Sequence, residues 1–124
     1  MNFRRFQAGP DPFDRTWEVE FKWQQNGITI RHADTVDVKF NVWTTDEPPQ
    51  ERVVAIRHPD LLKLSKEAGR VISDGWAMKL GALHIKRMIE TDEDMEKTLV
   101  TVAYEDLVAY DRALQDQPSE PARV

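Results

Sequence analysis

Cysteine is absent from all 124 positions. That excludes a disulfide scaffold, a thiolate zinc site, an iron–sulfur cluster and a cysteine nucleophile. Basic residues are also in short supply: 17 Lys and Arg stand against 22 Asp and Glu, a net charge of −5. An acidic balance works against the phosphate backbone, so nucleic acid is not an expected partner. The local basic groups are Arg4-Arg5 and the set Lys79, Lys86 and Arg87. The latter lie towards the C-terminal end of an expected helix, where the dipole accounts for them. No apolar run approaches the ~18 residues of a membrane span. Residues 1–15 lack the apolar stretch of a secretory signal, so a cytoplasmic protein without membrane association is expected. Phosphate loops, dinucleotide-binding glycine fingerprints, nucleophile elbows and H-E-x-x-H helices are missing as well.

Large aromatics are plentiful, with four Trp and five Phe. A chain of this length forms one domain and can bury roughly two-thirds of its unfolded surface. Residues 1–15 have no period, and Gly9, Pro10 and Pro12 forbid a helix through their middle. Phe3, Phe6 and Phe13 make this segment too apolar for an ordinary disordered tail. It reads as an extended arm that docks on the domain's own sheet edge or on a partner.

From residue 16 the pattern alternates. Trp17, Val19, Phe21 and Trp23 share one face, and Glu18, Glu20, Lys22 and Gln24 the other. Asn26-Gly27 follows, a strong signal for a two-residue turn. With Ile28 to Arg31 as the returning strand, Trp23 would face Ile30, Phe21 would face His32, Val19 would face Asp34 and Trp17 would face Val36. Val36, Val38, Phe40 and Val42 continue the alternation and leave Trp43 pointing away from the core. Val53 to Ile56 reads as another strand.

The period then becomes helical. His58-Pro59-Asp60 starts a helix that Gly69 ends. Ser73 or Asp74 caps a second helix reaching about Glu90, apolar over most of its circumference and therefore central. Asp92, Asp94 and Glu96 sit in an acidic connector that lacks the glycine and final glutamate of a calcium loop. Leu99 to Val102 is a short strand. Tyr104, Leu107, Val108, Asp111 and Leu114 lie on one stripe of a third helix, and residues 116–124 read as a flexible tail. The expected architecture is α+β: an antiparallel sheet of four to five strands, N-terminal hairpin first, packed against about three helices. Residues 16–115 form that domain.

Two features break the pattern. Ile30-Arg31-His32-Ala33-Asp34 and Ile56-Arg57-His58-Pro59-Asp60 share four of five residues. Their flanks do not extend the match, so chance explains it better than duplication. His32 and Asp34 share parity with the apolar positions around them, where an unpaired carboxylate would cost several kcal/mol. A bend at residues 32–35 would free both side chains. Alternatively the pair forms a catalytic site, His32 as a base oriented by Asp34, in a ligand pocket lined by Trp17, Phe21, Trp76 and His84. Two histidines and a carboxylate could suggest an iron triad, but the expected sheet is no complete barrel and His84 is mid-helix, so no metal and no cofactor are expected.

The leading expectation is a non-catalytic module, an accessory or regulatory subunit or a self-associating interaction domain. Phe3, Phe6, Phe13 and Trp43 are its candidate interface residues, with a protein partner or a second copy as occupant. The rival is a small ligand-binding or enzymatic cup built on His32 and Asp34.

Overall fold

The computed structural model describes residues 2–27 and 35–116. The elements in chain order are β1 (Arg5–Ala8), β2 (Trp17–Gly27), β3 (Thr35–Thr44), β4 (Gln50–Arg57), α1 (His58–Ala68), α2 (Asp74–Thr91), β5 (Leu99–Thr101) and α3 (Tyr104–Asp116). The five strands form one sheet in the order β1-β2-β3-β4-β5. This is the expected α+β architecture, with one correction. The first three pairings are antiparallel, but β4 and β5 run parallel. The connection between them passes through α1 and α2, and such a crossover returns the chain in its original direction.

The hairpin is longer than the Asn26-Gly27 turn signal implies. Asn26 pairs with Val36 and Gly27 with Thr35, so both lie within β2. Trp17 faces Thr44, Val19 faces Val42 and Phe21 faces Phe40. This register lays the apolar positions of two long strands side by side, and Val19, Phe40 and Val42 are fully buried. The shorter register would have set His32 against Phe21 and Asp34 against Val19. Burying those polar groups costs more than a favourable turn returns. The expected strand at Ile28 to Arg31 lies outside the described residues.

A register shift between Phe21 and Trp23 changes which face the end of β2 presents. Beyond it Trp23 pairs with Lys39 rather than with an inward residue. The expectation that Trp23 belongs to the apolar face is therefore corrected: it is 40% exposed and its ring lies 5.2 Å from the Lys39 ammonium. One extra residue in one strand reverses the parity of everything after it.

The N-terminal arm docks on its own sheet. β1 pairs antiparallel with β2, Phe6 opposite Val19. Phe3 and Phe6 are buried in the main core, whereas Phe13 is 66% exposed.

α2 crosses the inner face. Ser73 caps it, accepting a hydrogen bond from the Trp76 backbone N–H at 3.1 Å. Leu80, Ala82 and Ile85 are fully buried. Gly81 permits the close crossing: a Cβ there would lie 3.2 Å from Val38 Cβ. Val38 is β-branched and fully buried, so it has little freedom to retreat. Gly81→Val should therefore destabilise the fold by about 2 kcal/mol. A urea titration that shows no loss would mean the helix lifts freely from the sheet.

Candidate functional site

His32 and Asp34 lie outside the described residues. The four aromatic and imidazole groups expected to line their pocket are divided among separate environments. Trp17 and Trp76 are each turned to a buried carboxylate of their own. Asp11 Oδ2 accepts from Trp17 Nε1 and from Arg15 Nε, both at 2.9 Å. Its Oδ1 accepts from the Phe13 and Arg15 backbone N–H groups, also at 2.9 Å. Asp111 Oδ1 accepts from Trp76 Nε1 and from Arg70 Nε at 2.9 Å, and its Oδ2 from Gln115 Nε2 at 2.8 Å.

The two sites share one solution. A buried carboxylate takes an indole N–H that would otherwise be orphaned, and an Arg at the surface side neutralises it. Burial by itself would push the Asp11 carboxyl up. The hydrogen bonds from Trp17, Arg15 and Phe13 outweigh burial and hold it at about 2.

His84 faces α3 from the middle of α2. Its Nδ1 shares a 2.8 Å hydrogen bond with Tyr110 Oη, which also accepts from Arg87 Nη1 at 3.5 Å. Arg87 is paired in turn with Asp106 at 2.6 Å. Burial pushes the Tyr110 hydroxyl up and the His84 imidazolium down. The unfolded chain therefore binds the His84 proton first, so stability is full above about pH 6.5 and declines as the pH falls below it. Thermal melts between about pH 7.5 and 5.5 should show that decline, and His84→Gln should flatten it. An unchanged slope in the variant would show that protons are taken up elsewhere.

Phe21, the fourth expected pocket residue, packs edge-on to Phe40 at 6.0 Å. It also lines a surface depression of about 280 Å³ with Arg4, Trp23, Gln24, Asp74, Gly75 and Met78. Among the described residues, no group of three or more His, Asp or Glu is arranged to hold a metal ion. In the acidic connector, Asp94 pairs with Lys97 at 3.1 Å and Glu93 with Arg87 at 3.6 Å.

Of the candidate interface residues, Phe3 and Phe6 are core, Phe13 is exposed and Trp43 is on the outer face of the sheet. Trp43 carries the Arg5 guanidinium 4.9 Å from its ring centroid. It lines a depression of about 380 Å³ with Gln7, Thr16, Glu18, Thr44 and Thr45. In β3, inward residues are buried and outward ones only half-buried. Two outward rows along the strands from Trp43, the same face carries Trp23, Lys39, Val53 and the 59% exposed Leu99, which pairs with Val53. Cations and carboxylates are interspersed with them: Arg5 pairs with Glu18 and Glu20 at 3.8 and 3.7 Å, Lys22 with Glu20 at 3.9 Å and Lys39 with Glu51 at 2.8 Å.

The roles of Asp11, Asp111 and Tyr110 were not anticipated from sequence. Asp111 carried a signal, a carboxylate on the apolar stripe of its helix. Asp11 carried none beyond its place in a proline-rich turn, because its partners Arg15 and Trp17 are recruited by loop geometry.

No helix among the described residues is long and apolar enough to cross a membrane. Comparison of the chain with family models, with curated proteins and with solved structures finds no match.

Proposed function

We propose that the chain is a non-catalytic interaction module, an accessory or regulatory subunit or a self-associating domain, that docks a protein on the outer face of its sheet. The observation that carries this reading is the outer face itself. Trp43, Trp23, Val53 and Leu99 are exposed or half-exposed there on strands long enough to make a flat platform. Aromatic and aliphatic anchors ringed by charges are what protein interfaces use. The buried polar side chains of Asp11, Asp111 and His84 are by contrast committed to internal hydrogen bonds, which suits structural roles. The cytoplasmic location expected from sequence belongs to the same reading. Its test is a sizing measurement of the chain alone and mixed with the products of the genes flanking its own. A shift to a larger species supports the reading, and a monomer in every mixture overturns it.

A second reading, a small-ligand site, has one observation in its favour: the depression beside Phe21, with the Arg4 guanidinium 5.2 Å from that ring. An aromatic floor with a few polar groups suits a small organic molecule. A fragment screen followed by the Trp23 emission would test it, and no fragment shifting that signal would overturn it.

A further inference from the structure

We infer that the depression beside Phe21 binds a free α-amino acid with an apolar side chain, its carboxylate on Arg4 and its ammonium on Asp74. This rests on the small-ligand reading above and names the class of ligand. The depression forms where β1 stops covering β2. The last pairing at this end is Arg5 with Glu20, after which the Arg4 carbonyl accepts from the Phe21 N–H at 2.8 Å. β2 runs on to Gly27 without that neighbour, and its register shifts between Phe21 and Trp23. A bulge re-aims the side chains after it, and such breaks recur beside functional sites. The first turn of α2 borders the same space. Gln24 Nε2 donates to Asp74 Oδ1 at 3.2 Å and so joins strand to helix. Gly75 lies in that turn, and a Cβ on it would meet nothing within 4 Å, so the space there is open.

Two opposite charges line this one depression of about 280 Å³. Among the described residues, the Arg4 guanidinium has no carboxylate partner; its contact is the Phe21 ring, 5.2 Å away. A guanidinium stacked on a ring keeps its N–H edge for a carboxylate. Arg5, one residue on, is by contrast committed to Glu18 and Glu20. Asp74 accepts from Gln24 through Oδ1, which leaves Oδ2 for an ammonium. Phe21 and Met78 supply apolar surface in the same space. A carboxylate, an ammonium and an apolar group carried together by one small molecule describe an amino acid. The volume is at the small end of the ~300–1,000 Å³ of ligand sites, which suits one amino acid rather than a peptide. Arg4 and Asp74 are both exposed, so each ionic contact is worth a few-fold in affinity.

The test is a titration of the full chain with L-phenylalanine and L-leucine, followed by the amide chemical shifts of Phe21 and Gly75. Both amino acids should bind with dissociation constants on the order of a millimolar. 3-Phenylpropionate lacks the ammonium and phenethylamine lacks the carboxylate, and each should bind roughly fivefold more weakly than L-phenylalanine. Arg4→Gln should weaken L-phenylalanine by a similar factor and leave phenethylamine as in the wild type. Asp74→Asn keeps the acceptor for Gln24; it should weaken L-phenylalanine and leave 3-phenylpropionate unchanged. Thermal melts check that both variants are folded; should one fail to fold, the two analogues on the wild type decide in its place. Equal binding of L-phenylalanine and both analogues would overturn the proposal and leave an apolar ligand site standing. Failure of both amino acids while a fragment of other chemistry shifts the same amides has the same consequence. If neither the amino acids nor any fragment moves them, the proposal and the small-ligand reading fall together.

Discussion

Asp111→Ala should lower the unfolding free energy by about 3 kcal/mol and the melting temperature by about 10 °C. The carboxylate, on α3, ties the residues after α1 and the first turn of α2 to that helix. Arg70 follows α1, Trp76 opens α2 and Gln115 closes α3, and each donates to it. The Asp111 side chain is 2% exposed, so truncation leaves a hole and strands the Trp76 N–H away from water. Arg70 is one-third exposed and can turn outward, which keeps the cost below that of a fully buried pair. Asp111→Asn retains volume and an acceptor for Trp76, and should cost less than half as much. Urea unfolding of both variants checks this. A loss under about 1 kcal/mol for the alanine variant would show that α3 docks on apolar contacts without the carboxylate.

Asp11→Ala should cost a similar amount, about 3 kcal/mol, from the four donors it releases. The same site carries an acid signature. The folded carboxyl sits at about 2, below its ordinary 3.8. A depressed folded value means a contribution present above the unfolded value and lost as the pH falls through the folded one. Wild-type stability should therefore drop between about pH 4 and pH 2, and Asp11→Asn should remove much of that drop while lowering stability at neutral pH. Trp17 reports the local event, because losing Asp11 exposes its indole and should red-shift its emission. A variant with a wild-type acid profile would show that other carboxylates govern acid unfolding.

The buried carboxylates mark a limit of reading along the chain. An Asp on the apolar stripe of α3 is visible as an anomaly, but its partners are 35 and 41 positions away and belong to other elements. Trp17 and Trp76 were legible as buried groups from strand and helix periodicity, and both are. That each would need a private acceptor follows from indole chemistry. Which carboxylate serves depends on the packed fold. His84 is similar: helical spacing placed it among buried neighbours, while its bond to Tyr110 needed α3 to be docked. His32 and Asp34 drew attention because they break an alternation, but they lie outside the described residues.

Local chemistry along the chain determined the α+β class, the three helices with their starts and stops, the alternation of β3 and the outward direction of Trp43. These depend on periodicity, caps and turns within a few residues, where the physics is short-ranged. Ser73 caps α2, and Gly69 ends α1 in the left-handed region at φ 69°. Only the tertiary structure decided the strand register, the parallel seat of β5, the docking of the arm and the face of Trp23. The Asn26-Gly27 turn preference is weaker than the gain from burying Val19 with Val42 and Phe21 with Phe40, so long-range packing keeps both residues within β2.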